Sequence, residues 1–286
     1  MLAAVLSATP FVDAQNIDSP TITGGVASHV LVRGDTLTSL SARYGVPVQA
    51  LALDNGRDAA TRLAAGRTLR IDNRHIVPAV PHDAVLIVNI PQRMLFYRGE
   101  GWAGLPVAVG RPTWPTPIGD FHVALREQNP TWDVPASILA EARREGHELP
   151  PHVPPGPDNP LGAFWLGLDA GGVGIHGTNA PTSIYRFATH GCIRLHPDDI
   201  AWLFPRVRVG ARVALIYEPM LLTRAGDRVF LEVHQDIYKR KAATLAGVRE
   251  LAAARNLAER IDWDAALRVV NARHGVARDV TRVSPE

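Results

Sequence analysis

Residues 84–218 predict a mainly β domain, a sandwich or barrel with short helices, between a small β-α-α-β module and a helical tail. Three observations carry that prediction. Short runs rich in Val, Ile, Leu, Phe and Tyr recur along 84–217 with Gly and Pro turns between them, the pattern of many short strands. Residues 29–73 carry a strand-like run at each end and two stretches of helical spacing between them. From 238 onward, Ala, Leu and Arg recur at helical period.

The chain of 286 residues opens on an apolar dozen, MLAAVLSATPFV, with Val12-Asp13-Ala14 resembling a small-residue cleavage site. Residues 1–28 therefore read as a signal-like segment and linker. The positively charged start of a signal peptide is missing, so the true start is expected upstream. The apolar stretch is too short for a spanning helix, and no transmembrane segment is expected in the mature chain.

Within 29–73, Val30-Leu31-Val32 reads as a strand, and Gly34-Asp35-Thr36 as a turn with a helix cap. Leu37, Leu40 and Tyr44 follow at helical spacing. Gly45 ends that helix, and Pro47 suits the first position of a second one over 48–53. Residues 65–71 close the module with a turn and a strand. VPAVPHD, inside 75–83, has linker character and marks the next boundary.

Beyond it, 84–90 and 94–97 read as a hairpin, with further strands at 105–109, 121–125, 163–168 and 212–217. Helices are expected at 135–146 and 197–204, where Asp198 and Asp199 complement the helix dipole of the second. Residues 219–286 form a C-terminal extension. In it 229–233 is strand-like, 238–260 reads as one long helix, and Asp262 caps another over 262–273.

Cys192 is the only cysteine, in the run Thr189-His190-Gly191-Cys192-Ile193-Arg194, 16 residues after His176. A thiol is a weak nucleophile while protonated, and a neighbouring imidazole raises its thiolate fraction. A lone cysteine among histidines thus points to a cysteine nucleophile with a histidine base, acting on an acyl group. Gly191 leaves the backbone bare beside the sulfur, where amide N–H groups can meet a developing oxyanion. In an extended segment His190 and Cys192 share a face, so local geometry nominates His190 as the base. His176 can reach the thiol only through the tertiary fold. Two other readings stay open on the residues alone: a small buried apolar cysteine, or a metal site of His176, His190, Cys192 and His196. Crowding by histidines and Arg194 weighs against the first, and spacing without CxxC or HxxxH regularity against the second.

His176-Gly177-Thr178-Asn179, a gap, then Thr189 to Leu195 resemble the active-site signature of the YkuD-type L,D-transpeptidases of bacterial cell-wall synthesis. Thr116-Pro117-Ile118-Gly119-Asp120-Phe121 resembles that family's TPxGxF segment. Pro130-Thr131-Trp132 and the run from Pro154 to Gly162 resemble the ErfK/YbiS-type subgroup. The resemblance implies Cys192 as nucleophile and His176 as base, oriented by the carbonyl of Gly177, and so overrules the local nomination of His190. It implies that His190, Gly191 and Cys192 supply oxyanion N–H groups. Arg194 fits the family's arginine variant and would bind a substrate carboxylate, a structural salt bridge being its other reading.

The N-terminal module resembles a LysM domain through R-G-D-T-L, R-Y-G-V and D-N-G, which implies binding to the N-acetylglucosamine backbone of peptidoglycan. Together the resemblances imply a periplasmic enzyme that takes a tetrapeptide stem, releases D-alanine and passes the acyl group to an amine. That amine is a lysine of an outer-membrane lipoprotein or a second stem peptide, and no metal or organic cofactor is implied. A thiol hydrolase or carboxypeptidase, and a peptidoglycan-binding scaffold without catalysis, are the alternatives. The net charge of +2 and the lack of any basic run with interleaved aromatics argue against a nucleic-acid partner.

Overall fold

In a computed structural model that describes residues 21–283, the N-terminal module is set by its caps. Of the expected signal-like segment and linker 1–28, residues 1–20 lie outside the described residues and the remainder enters the first two strands. After β1 (Thr21–Thr23) and β2 (Val26–Val30) comes α1 (Leu37–Tyr44). Thr36 and Ser39 exchange side chain-to-backbone hydrogen bonds at its start, and Gly45 ends it in the left-handed region at φ 68°. Next come α2 (Val48–Leu53), directly after Pro47, then β3 (Thr68–Asp72) and β4 (His75–Val77). β2 pairs antiparallel with β3, and β1 with β4. The expected strand at 30–32 sits earlier, because Leu31 turns into the module's core and the Asp35 N–H closes a turn onto the Val32 carbonyl.

The barrel strands are β5 (Leu86–Asn89), β6 (Met94–Arg98), β7 (Trp102–Gly110) and β8 (Gly119–Gln128). A small insert follows: β9 (Trp132–Asp133), α3 (Ala136–Arg144) and β10 (His152–Val153), with β9 and β10 paired at its base. Then come β11 (Phe164–Leu168), β12 (Gly174–His176), β13 (Phe187–Thr189), β14 (Ile193–Leu195), α4 (Pro197–Leu203) and β15 (Arg212–Ile216). The order β7-β14-β12-β11-β8-β15-β5-β6 closes through β6 pairing with β7, and β13 flanks β7. A ring of this size is just wide enough for side chains to fill. Leu86, Val88, Leu95, Val107, Leu166, Ile175, Ile193, Leu195, Val213 and Leu215 fill it, all fully buried. Each contributes about 1.5–3 kcal/mol by leaving water.

The C-terminal extension holds more sheet and less helix than its sequence predicts. β16 (Met220–Ala225) and β17 (Arg228–Val233) form a hairpin across Gly226, joined at its edge by β18 (Arg278–Asp279). The long helix expected at 238–260 shortens to α5 (Leu245–Ala254). Asp236 winds the preceding segment into a turn by accepting from the N–H groups of Arg240 and Lys241, and Thr244 caps the helix. α6 (Trp263–Ala272) begins where expected, with the Asp262 side chain accepting from the N–H groups of Asp264 and Ala265. The hairpin and both helices enclose a second core around Leu222, Leu231, Val248 and Ala266. No helix of the described residues is long and apolar enough to cross a membrane.

One buried carboxylate ties the three parts together. Glu232 on β17 accepts from His75 at 2.7 Å, the Ile76 N–H at 2.6 Å, Gln92 at 2.9 Å and His234 at 2.9 Å. The other nitrogen of His75 meets the Gly45 carbonyl at 2.8 Å. Nearby, Val276 packs into the N-terminal module's core and Arg278 makes a two-pronged contact with Asp54. Burial would push the Glu232 carboxyl up, but His75 and His234 outweigh it and hold it at about 2. The ordinary value is 4.5, so this stabilisation is complete above about pH 4.5 and lost as pH falls toward about 2. Glu232→Ala, which strands buried donors, is expected to cost about 3–5 kcal/mol in denaturant unfolding at pH 7. The deficit relative to wild type should shrink between pH 4.5 and 3.

Candidate active site

The site is built by a parallel pair of strands. β12 and β14 align Ile175 with Ile193 and His176 with Arg194. Both isoleucines point into the barrel core. Side chains alternate along a strand, so His176 and Arg194 lie on the opposite face, and Cys192 directly precedes β14 at the end of the turn through Gly191. On the other flank β11 aligns Trp165 with His176, and the two rings stack at 5.8 Å. Cys192, one residue before β14, is brought to the edge of the same strand pair.

The histidine's tautomer follows from its partner. Nδ1 lies 2.7 Å from the Gly177 carbonyl oxygen, which can only accept, so Nδ1 carries the proton and Nε2 keeps a lone pair. Burial, helped by the charge of Arg194 and opposed by the Gly177 and Leu161 carbonyls, holds the ring down to about 3. The half-buried thiol of Cys192 is pushed up by burial, against the Gly174 backbone and the Arg194 charge. The resting pair is therefore neutral imidazole and neutral thiol. In this state the thiol donates to the Gly172 carbonyl oxygen at 3.8 Å rather than to His176.

Arg194 donates to Ser183 Oγ at 3.0 Å and has no acidic partner among the described residues. Its Nε is buried without a hydrogen bond. Gly191 adopts φ +107° with no side chain pressing on it, so conformation rather than space demands glycine there. The turn is closed by Thr189 Oγ1, which donates to the Cys192 carbonyl at 2.6 Å and accepts from the Gly191 N–H at 3.3 Å.

The YkuD family, described as the L,D-transpeptidase catalytic domain, matches residues 83–215, and the LysM domain matches 29–72. YbiS of Escherichia coli K12 is 37% identical over 176 residues, covering 60% of this chain and 57% of that protein. ErfK/SrfK of Salmonella typhimurium LT2 is 35% identical over 214 residues, covering 72% and 68%. YcfS of Escherichia coli K12 is 32% identical over 272 residues, covering 88% and 83%. All three carry L,D-transpeptidase names. The chain belongs to the L,D-transpeptidase family. It spans 57% of the length of YbiS, so the activity of the whole protein is taken up below as a proposal.

On this L,D-transpeptidase framework the other histidines near Cys192 are engaged elsewhere. His190 donates from Nε2 to Glu141 of α3 at 2.5 Å, and Arg111 binds the same carboxylate. Those two partners, His190 first, hold Glu141 at about 2. His196 caps α4 by accepting from the Asp198 N–H at 3.3 Å. No group of three or more metal-ligating side chains forms among the described residues, so His176, His190, Cys192 and His196 do not gather into one.

Three residues shape the site without being singled out by the sequence. Trp165 lies flat over Gly174 and Gly167, where a methyl group would come within 2.4 Å and 2.8 Å of the indole. Glu141 pins the insert helix next to the Cys192 turn. Tyr238 of the C-terminal extension accepts from the Thr116 N–H at 3.1 Å and also holds the Gly110 carbonyl, fixing the loop whose Pro115 carbonyl faces Gly191. The glycines at 167 and 174 were the available signal for Trp165, since small residues beside a large ring mark a close approach. Because the resting thiol is neutral, iodoacetamide alkylation of Cys192 is expected to be slow at pH 7 and to rise only above about pH 9. A rate already at its plateau at pH 7 would contradict the neutral pair.

Proposed function

We propose that the chain is an exported, periplasmic peptidoglycan L,D-transpeptidase with Cys192 as nucleophile and His176 as general base. The observation that supports the proposal is the β12–β14 pairing, which sets His176 beside Arg194 with Cys192 just ahead of β14, and the Nδ1 contact of His176 with the Gly177 carbonyl, which leaves Nε2 free to act as base. The donor is a tetrapeptide stem. As the sulfur attacks the carbonyl carbon of its third residue, Nε2 takes the thiol proton. Backbone N–H groups of the 190–192 turn receive the oxyanion, the Gly191 N–H leaving its hold on Thr189 to do so.

The tetrahedral intermediate collapses by breaking the amide bond. The imidazolium returns its proton to the departing amine, D-alanine leaves, and a thioester remains on Cys192. An amine acceptor then attacks the thioester, gives its proton to His176, and expels the sulfur, which recovers that proton as a thiol. Passing the acyl group through the enzyme gives ping-pong kinetics. Arg194, charged, half-buried and without an acidic partner, binds a carboxylate of the peptide in bidentate fashion. The acceptor amine belongs to a lipoprotein lysine or to a second stem peptide, and the LysM module holds the glycan strand.

D-alanine release from a soluble tetrapeptide, measured with and without an amine acceptor, tests this reading. Cys192→Ala is expected to abolish release, and His176→Ala to reduce it by about 10²–10⁴-fold. His190→Ala should cost far less, because its ring anchors Glu141. If His190→Ala were the more damaging, the base would be misassigned. Release undiminished without an amine would make the enzyme a hydrolase, and firm binding to sacculi without turnover would make it a scaffold.

A further inference from the structure

Four adjacent strands carry one row of side chains across the candidate site, and the row is polarised. The pairing of β8 with β11 sets Glu127 opposite Trp165, β11 with β12 sets Trp165 opposite His176, and β12 with β14 sets His176 opposite Arg194. Residues paired in this way share one face, the Cβ atoms of antiparallel partners standing roughly 4.5–5.5 Å apart. Carboxylate, indole, imidazole and guanidinium therefore follow one another along the sheet. Negative charge ends the row on one side of the proposed base His176, and positive charge ends it on the other.

The Trp165 end of the row suits a cation. One face of the indole lies on Gly174 and Gly167, and the ring is half-buried, so the opposite face is the one that meets solvent. Trp102, Trp202 and Trp263 each hold an arginine of this chain over their rings, at 4.6, 4.4 and 4.9 Å. Among the described residues no such cation lies over Trp165. Glu127 beside it is exposed and has no cationic partner among the described residues. Leu125, 48% exposed, flanks the same Gly167 and lengthens the apolar surface. An indole face attracts an ammonium through its quadrupole, the neighbouring carboxylate adds charge attraction, and indole and leucine together cover an aliphatic arm. These features describe a primary ammonium on an unbranched aliphatic chain. An amine with a carboxylate on the same carbon is disfavoured, because that carboxylate would stand against Glu127. A carboxylate of the donor is drawn instead to the opposite end, at Arg194.

We propose that Trp165 and Glu127 form the acceptor subsite, which holds the acyl acceptor as an ammonium beside His176 and apart from the donor side at Arg194. The inference rests on the proposed function only in calling the bound amine an acceptor. Binding of an ammonium to this face is independent of turnover.

The full chain with ¹⁵N-labelled tryptophan would be titrated with Nα-acetyl-lysine amide and, in parallel, with its uncharged counterpart Nα-acetyl-norleucine amide. The indole N–H signal of Trp165, assigned by its loss in Trp165→Phe, should shift saturably with the lysine compound and barely with the other. Glu127→Gln is expected to weaken the titration about threefold, and the charge reversal Glu127→Lys about tenfold. Kinetics supply a second reading: with a tetrapeptide donor, Glu127→Lys should raise KM for the lysine compound, relative to KM for the donor, by about tenfold. A purely structural Glu127 would leave that ratio unmoved. A Trp165 signal that stays in place, or that moves equally with both compounds, overturns the inference, as does unchanged affinity in Glu127→Lys. If the lysine compound binds this face but no D-alanine is ever released, the ammonium site stands and the transpeptidase reading fails. If acyl transfer proceeds while the Trp165 signal never moves, the transpeptidase reading stands and the subsite falls.

Discussion

The placement of His176 beside Arg194 depends on one parallel pairing, Ile175 with Ile193, between two three-residue strands. Both side chains are fully buried in the barrel core. A slip of one residue would turn every side chain of a strand to the opposite face, sending a charged arginine or a histidine into the core. The hydrophobic core thereby enforces the register, and the register sets His176 beside Arg194, with Cys192 leading into the same strand. The face proposed to carry the chemistry is a consequence of packing on the other side of the same strands.

The second constraint is the support around that face. His176 is steered by the carbonyl of its own neighbour, Gly177, and by the ring of Trp165. Cys192 sits on a turn closed by Thr189 and shaped by the positive φ of Gly191. The C-terminal extension belongs to this architecture as well: Tyr238 fixes the loop beside Gly191, and Glu232 binds linker, barrel and hairpin into one buried polar cluster. With thiol and imidazole both neutral at rest, the proposed mechanism activates nucleophile and base together, at the moment of attack. That arrangement spares the free enzyme a reactive thiolate.

Much of the fold was legible because it is local. Thr36 and Gly45 announce a helix start and stop, Asp262 another start, and the βααβ module follows from them. The mainly β core was legible from its strand-sized apolar runs, and Cys192 is nominated for the proposed chemistry by its solitude among histidines. Ring closure was not legible, because the pairing of β6 with β7 and of β12 with β14 joins segments by registers that no single segment specifies. The hairpin at Met220–Val233 was missed although its Gly226-Asp227 turn is a recognised hairpin signal. The helix expected at 238–260 was overextended, because Asp236 and Asn256 stop the helix through turn geometry that periodicity does not report. Local reasoning on His190 placed it on the face of Cys192. What it could not register was Glu141, 49 residues away in sequence.

Intact-protein mass spectrometry after incubation with a tetrapeptide-bearing muropeptide, wild type beside Cys192→Ala, tests the central claim most directly. The account predicts an adduct on wild type alone, equal in mass to the muropeptide less D-alanine, and its discharge when an amine is added. D-alanine release without dependence on Cys192, or an adduct that persists in Cys192→Ala, would contradict it.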